Sequence, residues 1–232
     1  MTMEGPESPM QPTVDGPCTA GDVVERAGRG PTVLVGVDLE EADLRGLDLS
    51  GWRFERCGFR NAGFDGADLR EAMFDRCRGP GASFVAARLG EARFVASDFN
   101  NAAFRMAEMG EARFERCKLT GADFTEARAL DMSFAETVLA FARMPKLSFR
   151  RQTLVRVDFS EADLRQCDFR QAVLEDCSLR NALLGESRFE GADLRSADLG
   201  GLKLDDARLF RGAMIARHQA AALLAQLGLI VV

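Results

Sequence analysis

The sequence predicts an all-β fold, a four-sided β-solenoid closed by a short C-terminal α-helix. Three observations predict it. Leu or Phe returns every five residues from Leu39 to Leu209 without an insertion. Of the 35 positions in that register 16 are Leu, 15 Phe and two Met, leaving only Gly79 and Ala129. A period of five is neither the 3.6 of a helix nor the 2 of a plain strand, and fits a short extended segment with two inward residues followed by a corner. Finally, a longer period of 20 decides what fills each position, because Ala42, Ala62, Ala82, Ala102, Ala122, Ala142, Ala162 and Ala182 form an unbroken alanine column. Four five-residue segments therefore make one coil. Stacked at strand spacing, roughly nine such coils give a rod ~43 Å long.

Taken in order, residues 1–30 are rich in Pro, Gly and Glu, carry no register and read as a flexible N-terminal tail with room for a short ordered cap. Residues 31–215 are the solenoid. Its first side is centred on Phe54, Phe74, Phe94, Phe114 and Phe134, its second on the Leu39 column, its third on Phe64, Phe84, Phe104 and Phe124, and its fourth on Leu49, Leu69 and Leu89. After Phe134 and Phe124 the first and third sides change to Leu, while the fourth changes to Phe149, Phe169 and Phe189. Core volume is thus conserved by exchange between sides, as close packing requires.

The interior explains the composition. The 232 residues include 17 Phe but no Tyr, one Trp and one His, and 15 of the Phe are coil centres where a polar handle has no partner. A single His nearly excludes catalytic triads and His-rich metal sites. We expect no enzyme, no metal and no cofactor. No apolar run approaches the ~18 residues of a membrane span, and the start of the chain lacks a signal-peptide pattern, so a cytoplasmic protein without membrane contact is expected.

Several residues stand out. Cys57, Cys77, Cys117, Cys167 and Cys177 occupy the small inward position, where they read as fillers interchangeable with Ala, Ser or Val rather than as a metal site or disulfide. Trp52 reads as an end-filler, Gln152 as a buried polar exception with no nameable partner, and His218 as a cap or surface residue. Gly79-Pro80-Gly81 removes one central side chain and suggests a kink or shallow notch. Phe141 projects outward with Leu130 and Val138 nearby, a candidate apolar contact.

Residues 216–232 form the last element. Arg217 to Leu227 is a helix with Leu223, Leu224 and Leu227 on one side, closed by Gly228 and followed by Leu229-Ile230-Val231-Val232. This is more apolar surface than one solenoid end needs, and an open coil edge invites pairing. A homodimer is expected here through Phe210, Gln219, Leu223, Leu224, Leu227, Leu229, Ile230 and Val231.

The pattern Ala-Asp-Leu, as in Ala42-Asp43-Leu44, Ala67-Asp68-Leu69, Ala162-Asp163-Leu164 and Ala192-Asp193-Leu194, resembles the pentapeptide-repeat family from Leu34 to Met214. The resemblance implies a right-handed quadrilateral β-helix and leaves function open. The run Gln219-Ala220-Ala221-X-Leu223-X-X-X-Leu227-Gly228 looks like the tail of the Qnr and MfpA branch. That branch forms rod-shaped dimers and binds DNA gyrase, protecting it from quinolones or natural gyrase poisons. Qnr members of Gram-negative bacteria carry projecting loops, whereas the unbroken register here is closer to the loop-free MfpA type.

The branch is described as mimicking DNA, and charge tests that. Residues 31–215 carry 31 acids and 27 bases. The net of -4 (27 minus 31) compares with about -25 for ~43 Å of duplex. Bulk mimicry is weak, and the whole-chain charge of -6 argues against direct nucleic-acid binding. Acids gather instead on the second and third sides, as Asp38, Glu40, Glu41, Asp43, Asp65, Asp98, Asp123, Glu126, Asp158, Glu161 and Asp163. This acidic edge is the candidate partner surface. The expected function is a non-enzymatic protein that binds the DNA gyrase A subunit or topoisomerase IV and confers resistance to a topoisomerase poison. The alternative is a generic solenoid scaffold for another protein.

Overall fold

The computed structural model describes residues 12–16 and 18–230. Nine three-residue strands form one sheet in chain order, each parallel to the next. They are β1 (Thr13–Asp15), β2 (Val33–Val35), β3 (Arg53–Glu55), β4 (Met73–Asp75), β5 (Arg93–Val95), β6 (Arg113–Glu115), β7 (Ser133–Ala135), β8 (Thr153–Val155) and β9 (Val173–Glu175). The register advances by one coil of 20 residues, Leu34 facing Phe54 and Phe54 facing Phe74. This sheet is the first side of a four-sided parallel β-solenoid. The other three sides are joined by single bridges at the same offset, such as Asp38 with Gly58, Asp43 with Gly63 and Asp48 with Asp68.

Two devices turn each corner. The residue two places after a centre takes a left-handed conformation, whether glycine (Gly46, φ 67°) or not (Asn61, φ 53°; Glu161, φ 59°). Where Asp precedes the centre, its Oδ1 accepts the backbone N–H two residues on, as Asp43 does from Arg45 and Asp158 from Ser160. The Asp of the Ala-Asp-Leu signature is therefore a corner former.

Inside, phenylalanines stack at the coil rise. Phe74 and Phe94 on the first side have ring centroids 4.6 Å apart, and Phe84 and Phe104 on the third side 4.9 Å apart. Rings on opposite sides meet edge to face, Phe84 to Phe94 at 6.0 Å. Phe149, Phe169 and Phe189 continue the stacking on the fourth side at 4.8 Å. At the handover Phe134 and Phe149 are 6.3 Å apart and tilted by 52°.

That handover is a seam. Pairing of β7 with β8 contracts to Ala135 facing Val155, and among the described residues no bridge joins Arg128 to Ser148, although both neighbouring coils are bridged. Gln152 lies at this seam with its buried Oε1 lacking a partner, and Leu130 is 77% exposed there.

The structure corrects four expectations. Residues 1–30 are not wholly a tail: β1 extends the first side by one coil, and α1 (Ala20–Arg26) follows it. Thr19 and Asp22 cap α1 reciprocally, the Thr19 N–H donating to Asp22 Oδ2 at 2.8 Å, and fully buried Val23 joins the core. The inward cysteines are more than fillers. Cys77 donates from Sγ to the Phe54 carbonyl at 3.2 Å, Cys117 to Phe94 at 3.3 Å, and Ser97 and Thr137 do the same in that column. Burial pushes the Cys117 thiol up to about 11 and Cys167 to about 12, so both stay protonated as donors. Gly79 leaves no gap in the core, because Phe99 leans into the space, and the shallow notch lies on the surface, lined by Gly58, Arg78 and Pro80. A Cβ on Gly79 would collide with Phe99 Cε1. Finally, the centres Leu204 and Leu209 fall in a 3-10 helix (Leu204–Phe210), after which Met214 returns to the ladder by bridging Asp193.

Candidate partner-binding surface

The second and third sides and the corner between them carry the acidic edge. Most of its carboxylates are occupied. Asp43 holds Arg45 in a two-pronged pair, Nε at 2.7 Å and Nη2 at 2.6 Å, and Asp163 holds Arg165 at 2.8 and 2.7 Å. The guanidinium of Arg45 pulls the Asp43 carboxyl down to about 2, and Arg165 lowers Asp163 in the same way. Asp38, Asp98 and Asp123 accept the N–H groups of Glu40, Asn100 and Thr125. Asp65 accepts from Val85 N–H and the Ser83 hydroxyl. Glu40 pairs with Arg60 in the next coil, and Glu161 accepts from Asn181 at 2.7 Å. Only Glu41 and Glu126 of this edge, both exposed at left-handed corners, have carboxylates with neither a hydrogen bond nor an ion pair among the described residues. The sequence signal for this neutralisation is the triplet Asp-Leu-Arg, in which the corner former sets its carboxylate beside the arginine two residues on.

The apolar candidate divides. Phe141 stands on the corner between the second and third sides, in the column Glu41, Asn61, Gly81, Asn101, Gly121, Phe141, Glu161, Asn181. Val138, 36% exposed, lies beside it on the second side, bridged to Lys118 and Asp158. Leu130 sits on the corner after the fourth side, where its carbonyl accepts the Glu111 N–H, diagonally across the rod. The 20-residue period separates them, because 130 and 141 belong to different corners. Phe141 and Val138 therefore join the acidic edge in one surface, and Leu130 does not.

Phe141 is the anomaly of that surface. It is 61% exposed and has φ 60° in a column otherwise filled by Asn, Gly and Glu. The left-handed region costs an L-residue about 1–2 kcal/mol, which Asn and Gly largely escape. An aromatic ring held there in water serves neither the corner nor the core.

The C-terminal end is the other exposed apolar region. Helix α2 (Arg217–Ala225) packs over the last coil. Gln219, proposed for a dimer contact, is instead internal: its Nε2 donates to the Leu194 and Ala197 carbonyls at 2.8 and 2.6 Å, capping the coil edge. Phe210 likewise extends the inner stack, 4.5 Å from Phe189. Leu223 is half-buried and lines a groove of about 430 Å³ between α2 and the last coil. Leu224, Leu227, Leu229 and Ile230 are exposed, Ile230 at 89%. Val231 lies outside the described residues. His218 lines the same groove, and among the described residues no His, Cys, Asp and Glu group has metal-site geometry. Among the described residues no helix is long and apolar enough to cross a membrane.

One feature escaped the sequence reading. Arg76, Arg78, Arg116 and Lys118 gather along the corner between the first and second sides, without ion-pair partners among the described residues. The signal was present in the 20-residue columns, which pair Arg76 with Arg116 across Ala96.

Comparison with known proteins reinforces the fold. A pentapeptide repeat region model matches residues 47–124, and a model of pentapeptide repeats in eight copies matches residues 32–61, 133–171 and 172–209. A trypsin-treated variant of QnrB1, a plasmid-mediated fluoroquinolone resistance protein, superposes with a TM-score of 0.70 at 25% identity, covering 88% of this chain and 100% of its own. Full-length QnrB1 gives 0.70 at 23% identity, covering 92% and 100%. HetL, a pentapeptide repeat protein involved in heterocyst differentiation regulation from the cyanobacterium Nostoc sp. strain PCC 7120, gives 0.41 at 21% identity, covering 76% and 95%. No curated protein matches.

Proposed function

Because the chain belongs to the pentapeptide-repeat family, we propose that it is a non-enzymatic binding protein for DNA gyrase or topoisomerase IV that confers resistance to a topoisomerase poison. The observation that carries this reading is the similarity to the fluoroquinolone resistance protein QnrB1 over that protein's whole length. The repeat runs without inserted loops through the coils, so contact falls to faces, corners and ends. Our candidate contact is the corner between the second and third sides, with Phe141 as its anchor. An aromatic ring that a partner desolvates is the kind of residue that dominates interface energies. The acidic edge then contributes steering and orientation, and DNA mimicry is partial, since its carboxylates already serve corners and arginines.

A supercoiling and cleavage assay with gyrase and a fluoroquinolone tests the reading. Protection or inhibition that rises with protein concentration is expected; the absence of both at every concentration sinks it. The internal occupation of the acidic edge favours a second reading, a scaffold for a different protein held through Phe141. A pull-down that recovers a non-topoisomerase partner from wild type and loses it in Phe141→Asp supports that alternative.

The apolar end carries our dimer proposal, narrowed to Leu224, Leu227, Leu229 and Ile230 because Gln219 and Phe210 are spent internally. Leu227→Asp with Ile230→Asp leaves the Gln219 cap intact and should give monomers by light scattering. A persistent dimer assigns the contact elsewhere.

A further inference from the structure

The corner between the first and second sides carries a cationic cleft that neither the proposed topoisomerase contact nor the fold uses. Arg76 and Arg116 occupy equivalent corner positions, φ 53° and 54°, two coils apart. Arg78 and Lys118 stand beside them on the second side. Two coils are ~10 Å, and between the two rows the intervening coil offers only Ala96, buried Ser97 and Asp98. The result is an open cleft of about 190 Å³ with four cations around its rim and one carboxylate. Asp98 already accepts the Asn100 N–H, so it is not free to answer all four.

Other arginines, Arg93, Arg105, Arg113 and Arg150 among them, also lack an ion pair within the described residues, and what sets the cleft apart is four such cations around one concavity. Arg45, Arg70, Arg165, Arg170 and Arg195 each meet an aspartate within their own corner, and Arg60, Arg128 and Arg156 meet glutamates in the adjacent coil. The solenoid thus supplies counter-charges at regular spacing, yet among the described residues none of the four cleft cations has an ion-pair partner. Unmatched like charges repel, and a multivalent oxyanion relieves that repulsion. Guanidinium forks suit phosphate oxygens in particular, because each offers two parallel N–H donors. Exposed Arg56 continues the same corner one coil further, so the stripe runs along the rod instead of closing around a small molecule.

We propose that this cleft binds the phosphate groups of a nucleic-acid backbone. The inference stands apart from the topoisomerase reading, and the two fail separately. It overrides locally what the net charge of -6 excludes globally, because charges beyond a Debye length of ~8 Å are screened at physiological salt.

The test is fluorescence anisotropy with the full chain and a labelled duplex DNA of about 20 base pairs, at about 50 mM salt and upward. Four phosphate contacts predict a slope of about -3.6 for log affinity against log salt. Arg76→Gln with Arg116→Gln should flatten the slope by about 1.8 and weaken binding about tenfold or more, with an unchanged melting curve. Arg45→Gln, which removes an arginine already matched by Asp43, should bind DNA as the wild type does. Absence of salt-dependent binding overturns the proposal, as does wild-type affinity in the double variant. Equal saturation by poly-glutamate overturns it in favour of an acidic protein. Saturation by inorganic phosphate with no gain from the duplex overturns it in favour of a free-anion site.

Discussion

Two lengths of the rod solve the same packing problem differently. From Phe54 to Phe134 the aromatic stacks lie on the first and third sides, with Leu49, Leu69 and Leu89 on the fourth; from Phe149 to Phe189 the stack lies on the fourth, with Leu154 and Leu174 on the first side and Leu164 on the third. The coil is therefore indifferent to which side carries the bulk, provided the volume per coil is kept. It is not indifferent to the exchange itself. Where Phe134 gives way to Phe149 the rings tilt, the β7–β8 pairing shortens and Gln152 keeps an unpartnered oxygen. Uniform stacking protects the backbone ladder, and a change of stacking pattern opens it.

The largest expected effect breaks the first length against the second. Phe94→Ala should cost about 3–5 kcal/mol in chemical denaturation by leaving a cavity between Phe74 and Phe114. Phe169→Ala should cost a comparable amount from the fourth side. A loss below ~1 kcal/mol at either site contradicts the claim that the stacks, whichever side they occupy, hold the coils together.

A smaller effect of opposite sign sits at the seam. Gln152→Met removes the unsatisfied buried oxygen at similar volume and should stabilise the protein by about 1–2 kcal/mol. Hydrogen exchange should also slow at Met132 and Thr153. Destabilisation by this change means that the amide has a role the seam alone does not explain.

Acid should treat the two lengths alike, because both carry Asp-X-Arg corners. Asp43 and Asp68 in the first, and Asp163, Asp168 and Asp193 in the second, all have carboxyls held below their usual range by the arginine two residues on. A depressed folded-state value means that the stabilisation is complete above the unfolded value of ~3.9. It is lost as pH falls toward the folded value, about 2 for Asp43. A small decline in melting temperature between those limits, absent when Arg45, Arg70, Arg165, Arg170 and Arg195 are changed to Gln, is the expected outcome. An equal decline without the arginines assigns it to other carboxylates.

Much of this was legible in the sequence. The five- and 20-residue periods place every core residue from Leu39 to Phe189, and even β1 obeys them, since Val14 lies one coil before Leu34. Pro and Gly around it hide that signal. The diagonal separation of Leu130 from Phe141 follows from the same arithmetic. Other features do not, because a repeat specifies which side a residue faces and not what it touches. The carbonyls that Cys77 and Ser97 reach, the lean of Phe99 over Gly79 and the capture of Gln219 by the last coil all depend on contacts between coils. The columns give the position of the acidic edge but not its pairing, since its arginine partners belong to the corner itself.

This rod works through a corner its fold does not need, and Phe141 is where that corner can be probed. Asn should relieve the left-handed strain at this position and raise stability by about 1 kcal/mol, since the ring packs against no core. Titration of wild type and Phe141→Asn against gyrase, read beside their melting curves, is the decisive measurement. The variant should be more stable and bind at least about tenfold more weakly, as for an interface anchor. A variant with undiminished affinity contradicts it.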